Sequence, residues 1–113
     1  MAELFDTTTY QVQRVGSALR HRDRGFVYLD ETGLTILESW RQRVFVNLAP
    51  GKIQRAELVT TLTGKMSIYR PPRKSVLRLE ATTAQGRTVI GVVVLTERAD
   101  EWVEAAKGLE AVT

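Results

Sequence analysis

Short β-forming runs, each closed by a turn signal, fill this chain from residue 26 onward and constrain its fold more than any other feature. Apolar and polar residues alternate within most of them, which is the pattern of strands that bury one face. The runs cover residues 26–29, 34–37, 44–48, 53–63, 66–69, 76–81 and 88–95. An Asp-Glu-Thr-Gly turn separates the first two and predicts a hairpin. The pattern predicts a mainly β domain with antiparallel strands.

The spacing of apolar residues changes near the C-terminus. A stripe at helical spacing is formed by Ala99, Trp102, Val103, Ala106 and Leu109. Such a stripe predicts an amphipathic helix that packs its apolar side against the sheet. Thr96 is the predicted N-cap, because a hydroxyl there can accept a hydrogen bond from a free backbone N–H group. We expect Trp102 to lie in the core beside Val103 and Ala106.

The first 24 residues allow two interpretations. Tyr10 and Val12 alternate as in a strand, whereas Val12, Val15 and Leu19 have helical spacing. A strand with a bulge at Gly16 accounts for the same phase change. We predict the strand, because the fold argued from the rest of the chain requires one.

The composition indicates one folded domain. The chain has 113 residues, of which 43% are hydrophobic, and a chain of this length can bury a single modest core. We expect one domain over residues 1–113, with residues 1–9 as an N-terminal arm. The absence of cysteine excludes disulfides, a thiol nucleophile and a cysteine-based zinc site.

No apolar run approaches the roughly 20 residues of a membrane span, and the N-terminus lacks the pattern of a signal peptide. We therefore expect a cytoplasmic protein. Peripheral attachment to the inner face of the membrane is the alternative.

The order of the predicted elements resembles the pleckstrin-homology-like superfamily, including its GRAM-type relatives. Residues 22–29, 30–33 and 34–37 look like the second strand, turn and third strand of such domains. Residues 44–48, followed by Ile53, are similar to the fourth strand and its turn. Trp102 stands where this family places a core-facing tryptophan in its closing helix. One departure is Gly25, where an aromatic residue is usual.

The resemblance implies a bent antiparallel sandwich or partly open barrel of about seven strands, closed by one C-terminal amphipathic helix. It also implies that the first–second and third–fourth strand loops lie at the same open end. In that layout Arg20, Arg22 and Arg24 belong to the first loop, and Arg41 and Arg43 belong to the second.

The basic residues are clustered. The chain has 16 basic and 13 acidic residues and a net charge of +3. Arginine favours bidentate contacts with phosphate or carboxylate. The resemblance therefore makes Arg22, Arg24, Arg41 and Arg43 the candidate site for phosphoinositide headgroups or other polyanions. The competing interpretation, to which we give more weight, is that these arginines are solvated or pair with acidic surface residues.

A second candidate surface is suited to a protein partner. Trp40 belongs to no apolar stripe, and an exposed tryptophan can anchor a partner; the alternative, to which we give slightly more weight, is that it folds back over the barrel end. Tyr69, Arg70 and Arg73 flank a Pro-Pro segment in a long excursion between strands, where function is often found. An edge-to-edge homodimer is a further option. Nucleic acid is disfavoured, because the net charge is small and the aromatic residues occupy positions that the core needs.

The sequence gives little support for catalysis. His21 is the one histidine, and a single histidine without cysteine cannot form a recurring metal site. There is no Gly-x-Ser-x-Gly elbow and no glycine-rich phosphate loop. We therefore predict a non-catalytic binding module without cofactor or metal. A protein–protein interaction or adaptor domain is the leading function, and acidic-lipid or phosphoinositide-headgroup binding is the alternative.

Overall fold

A computed structural model describes residues 4–17, 20–40, 43–59 and 74–110. These residues form seven strands, a short 3-10 turn and one helix. The strands are β1 (Leu4–Arg14), β2 (Arg20–Asp30), β3 (Gly33–Glu38), β4 (Val44–Leu48), β5 (Ile53–Val59), β6 (Lys74–Thr83) and β7 (Gly86–Leu95). The 3-10 turn spans Thr96–Arg98, and the helix, α1, spans Ala99–Lys107.

All seven strands belong to one sheet with the order β4-β3-β2-β1-β7-β6-β5. Every neighbouring pair that is described is antiparallel. The sheet curls into a half-barrel, and α1 packs mainly against β5 at its open side. The predicted mainly β architecture of seven strands and one C-terminal helix is confirmed.

The N-terminal segment is a strand, as predicted, but it is longer than expected. Its register with β2 runs without a break from Leu4–Leu29 to Gln13–Arg20. Leu4 is buried, so the described part of the expected arm belongs to the sheet. The expected bulge is wrong, because Gly16 lies in the turn after β1, where its φ of +89° favours glycine.

The register assigns each side chain of the first four strands to one of two faces. Directly opposed residues share a face, and neighbours along a strand alternate. Val27 and Leu29 pair with Ile36 and Leu34, and all four are buried in the core on the concave face. The intervening residues of these strands therefore lie on the convex face, which we call the outer face.

The sequence predicts that Val44, Val46 and Leu48 share one face of β4, but Val44 lies on the opposite face from the other two. A register shift in its pairing with β3 leaves Phe45 without an opposed residue. Phe45 packs against the core, whereas Val44 is 53% exposed opposite Leu37. The bulge thus turns Val44 to the outer face.

The predicted helix is present and its stripe faces the core. Ala99, Trp102, Ala106 and Leu109 are buried, and Val103 packs against them. The predicted cap at Thr96 is wrong: α1 begins after Arg98 without a side-chain cap. The 3-10 turn separates Thr96 from the first residue of α1, and the Thr96 hydroxyl instead lies 3.0 Å from the Ser75 hydroxyl.

The segment after α1 ties the helix to the sheet. Glu110 forms a parallel bridge with Ile53, and its carboxylate accepts a hydrogen bond from the Ala56 N–H group at 3.2 Å. The strand predicted over residues 66–69 lies outside the described residues. In the described ranges, no helix has the length and apolar character needed to cross a bilayer.

The buried indole of Trp102 gives a direct test of the closing helix. Trp102→Ala should lower the free energy of unfolding by roughly 3–5 kcal/mol, because it empties a large volume beneath α1. Urea denaturation measures the change. The control is Glu104→Ala, an exposed position of the same helix, which should differ from the native protein by less than about 0.5 kcal/mol. Equal stability of the two variants would contradict the packing of α1.

Candidate functional site

The outer face of strand β2 is basic in its first half and aromatic in its second half. Arg20, Arg22 and Arg24 are exposed, and Phe26 and Tyr28 continue the same alternation. These arginines were expected in a loop, but pairing with β1 extends β2 back to Arg20. They form what we call the arginine row, and their regular spacing comes from the strand.

An apolar surface adjoins the arginine row. The Phe5 and Phe26 rings stack with their centroids 5.7 Å apart, although Phe5 is 55% exposed. Leu37 lies opposite both Phe26 and Val44, and Tyr28 lies opposite Phe5. We call this surface the aromatic patch; its members are Phe5, Phe26, Tyr28, Leu37 and Val44. A contiguous apolar surface of this kind is typical of an interaction site.

Trp40 lies in the turn after β3 and is 89% exposed. The alternative in which its ring covers the barrel end is therefore wrong. Tryptophan is costly to leave in water, because its large apolar surface gains nothing from hydration. Its exposure supports the prediction that it contacts a partner.

The structure places the other predicted site residues only in part. Arg22 donates a hydrogen bond to the Gln11 Oε1 atom at 3.2 Å. Arg43 forms a 3.3 Å ion pair with Glu38, as the solvated interpretation expected. Arg41 lies outside the described residues, and so do Tyr69, Arg70 and Arg73. The convergence of four arginines at one end thus stays a prediction.

The concave side of the same strands holds a stacked aromatic group. His21 stacks on Phe45 with centroids 5.0 Å apart, and Tyr10 lies 5.0 Å from Phe45 and 5.9 Å from His21. Gly25 allows this packing, because a Cβ atom there would lie 3.3 Å from the Tyr10 ring and 1.9 Å from the Leu37 carbonyl oxygen. The Tyr10 ring thus packs directly against the backbone of Gly25.

Burial raises the pKa of the Tyr10 phenol from 10.0 to about 12, and the nearby charges of Asp23 and Glu38 add to the effect. Within the described ranges, the buried Tyr10 hydroxyl has no hydrogen-bond partner. This group is therefore held neutral and contributes to the core by packing.

The described ranges hold no cluster of three or more His, Asp or Glu residues that could bind a metal ion. Comparison with protein-family models gives no match, and a search of curated proteins finds no similar sequence. The assignment of a function therefore starts from the surface itself.

Sequence reasoning missed the aromatic patch. The sequence analysis took most aromatic residues, among them Phe26 and Tyr28, for positions that the core needs, and it placed Phe5 in the N-terminal arm. The signal was present: in a run of four apolar residues, alternate members must face opposite sides of the sheet.

The raised pKa of Tyr10 predicts a pH effect on stability. The unfolded phenol ionises near 10 and the folded phenol near 12. The folded state therefore binds more protons between these values, and stability should fall as pH rises through that range. Tyr10→Phe should remove this part of the fall, and it should change stability near neutral pH by less than about 1.5 kcal/mol.

Urea denaturation near neutral pH and between pH 10 and 12 measures both effects. Tyr28→Phe, which removes a phenol from the outer face, is the matched control. An equal loss of pH dependence in both variants would contradict the assignment to Tyr10.

Proposed function

We propose that this protein is a non-catalytic binding module that recognises a protein partner through the outer face of β1–β4. The observation that carries the proposal is the aromatic patch, where Phe5 and Phe26 stack in contact with solvent. Aromatic residues supply much of the binding energy of protein interfaces, since they bury a large area with few rotatable bonds. A patch that the fold itself does not bury is available for that role.

The arginine row gives the partner a chemical character. It continues the outer face of β2 directly beyond Phe26, so a segment that covers the patch also passes the arginines. Charges around an apolar interface centre mainly set specificity and association rate. The partner segment is therefore apolar where it meets the patch and acidic where it meets the row.

The alternative function is binding of acidic lipids or other polyanions through Arg22, Arg24, Arg41 and Arg43. The exposure of the first two supports it. Arg43 weighs against it, because Glu38 already offsets part of its charge. Lipid binding of this kind would depend on charge and would need neither Phe5 nor Val44.

The fold supports a proposed membership of the pleckstrin-homology-like superfamily. Four consecutive antiparallel strands, three further strands and a closing C-terminal helix match the layout that this resemblance implies.

Strand β4 forms one edge of the described sheet. Two copies could pair along this edge, and sedimentation analysis would detect such a homodimer.

Photo-crosslinking tests the proposed face. A photoreactive phenylalanine analogue at position 5 should yield a protein adduct in cells that make this protein, because this ring contacts the partner. The same analogue at Gln85, an exposed position in the β6–β7 turn, is the control and should yield none. Equal adducts at both positions, or adducts with lipid alone, would contradict the proposal.

The captured partner then allows a quantitative comparison. Phe5→Ala should weaken its binding by about tenfold or more, the usual effect of removing an aromatic anchor. Val15→Ala is the matched control, since Val15 is also 55% exposed but lies in the β1–β2 turn. Calorimetric titration should show native affinity for that variant.

A further inference from the structure

A cleft opens on the outer face where β1 and β7 separate. Their backbone pairing runs from Arg14–Thr88 to Tyr10–Val92 and stops there. Beyond this point, side chains of β1 take the place of backbone hydrogen-bond acceptors for β7: Thr8 Oγ1 accepts from the Val93 N–H group at 3.0 Å. The space between the strands measures about 300 Å³. We call it the hydroxyl cleft.

The cleft is lined by hydroxyls and by two cations. Four lining residues carry hydroxyls: Thr7, Thr8, Thr9 and Ser39. The Thr8 hydroxyl is already engaged, because it accepts from the Val93 N–H group and donates to the Thr9 carbonyl; the other three are those of Thr7, Thr9 and Ser39. Thr9 on β1 lies opposite Arg24 on β2. The Ser39 N–H group, in the turn after β3, donates to the Arg24 carbonyl at 3.1 Å. These three residues therefore form one row across the sheet. No hydrogen bond of the three hydroxyls to the rest of the described chain is present.

The cations are Arg24 and Lys74, and their charges are not equally engaged. In the ranges that the structure describes, the Arg24 guanidinium makes neither a hydrogen bond nor an ion pair. Lys74 Nζ lies 3.7 Å from an Asp6 oxygen, and the other Asp6 oxygen accepts the Leu95 N–H group at 2.9 Å. Asp6 thus offsets part of the Lys74 charge. The carboxylate beside Arg24 is that of Asp23, which accepts the Arg24 backbone N–H group at 2.8 Å and forms no ion pair with its guanidinium.

We propose that the hydroxyl cleft binds a phosphate monoester carried by a side chain of the protein partner. A phosphate monoester has three acceptor oxygens and a charge close to −2. The cleft lining supplies three unengaged hydroxyls that can donate to these oxygens, and Arg24 and Lys74 supply positive charge. A carboxylate, with two oxygens and one charge, would leave donors of the cleft unused.

The source of the phosphate follows from the neighbouring surface, and this step rests on the proposed function. Phe26 lines the cleft and also belongs to the aromatic patch. One segment of the partner can therefore set an apolar side chain on the patch and a phosphorylated one in the cleft. The cleft then selects the phosphorylated form of that segment.

The cleft itself is tested with inorganic phosphate and O-phosphoserine, followed by two-dimensional NMR of the backbone amides. We expect both to shift the amide signals of Thr7, Thr9, Arg24 and Ser39 in a saturable manner. O-Phosphoserine should bind more weakly at pH 5 than at pH 7.5, because its phosphate loses charge near pH 6. Shifts confined to other residues, or none, would overturn the inference.

Variants that each remove one positive charge distinguish binding at the cleft from nonspecific attraction of phosphate to a basic protein. Arg24→Gln should weaken O-phosphoserine binding by about tenfold, and Lys74→Gln should weaken it less, because Asp6 already engages that cation. The controls are Arg55→Gln on β5 and Lys107→Gln on α1, which remove the same charges elsewhere. An equal loss in the controls would show that only net charge matters and would overturn the site.

To test the source of the phosphate, the crosslinking is repeated in a lysate of cells that make this protein, with and without phosphatase treatment before illumination. The treatment should abolish the adduct formed at position 5. An adduct that persists, together with no binding of phosphate, would overturn the cleft and leave the proposed function standing. Phosphate binding without any adduct would overturn the proposed function and, with it, the partner as source. Vesicles of phosphatidic acid test a lipid as the source. If the protein binds them through Arg24 and no phosphatase-sensitive adduct forms, the phosphate belongs to a lipid and the protein source is overturned.

Discussion

The rest of the structure depends on the double pairing of β1. This strand of 11 residues pairs with β2 along almost its whole length, but with β7 only over its second half. It therefore belongs to both halves of the sheet and forces the sheet to curl where β7 leaves it. Two polar side chains, Thr8 and Asp6, satisfy the N–H groups of β7 that the separation would leave unpaired. Buried N–H groups without partners are costly, so these side chains stabilise the corner.

The same corner determines where a ligand can bind. The concave side is filled by the core and covered by α1, with Trp102 fully buried beneath it. No comparable cover of described residues lies over Phe5 and Phe26. Their stacking in solvent, beside the cleft between β1 and β7, places an apolar and a cationic surface side by side on the outer face.

Much of this fold is predictable from the sequence. The alternation within the β-forming runs and the helical stripe through Trp102 identify the strands and the helix, because each period reflects one buried face. The faces of β2 are not predictable in the same way. The run at residues 26–29 contains only aromatic and aliphatic residues. Alternation therefore separates Phe26 and Tyr28 from Val27 and Leu29, but it does not tell which pair faces the core. Pairing with distant β1, and the close approach that Gly25 allows, decide it.

The site was less predictable than the fold for a physical reason. The arginines of β2 were assigned to a loop, because the layout implied by the family resemblance places the first–second strand loop there. Pairing with Gln11 and Gln13 instead extends β2 back to Arg20. The hydroxyl cleft has no sequence signal at all, because its lining comes from β1, β2, β6 and the turn after β3, which only the curled sheet brings together.

The distribution of charge over the molecule favours an acidic partner on the outer face. Helix α1, on the opposite side of the sheet, exposes Asp100, Glu101 and Glu104, whereas β2 exposes the arginine row. Separated charges of opposite sign orient an approaching molecule before contact, and salt screens this effect beyond roughly 8 Å under physiological conditions. An acidic segment is thus steered away from α1 and towards the face where the aromatic patch is exposed. In the proposed function, charge sets the direction of approach to this face, and apolar contact with Phe5 and Phe26 provides the affinity.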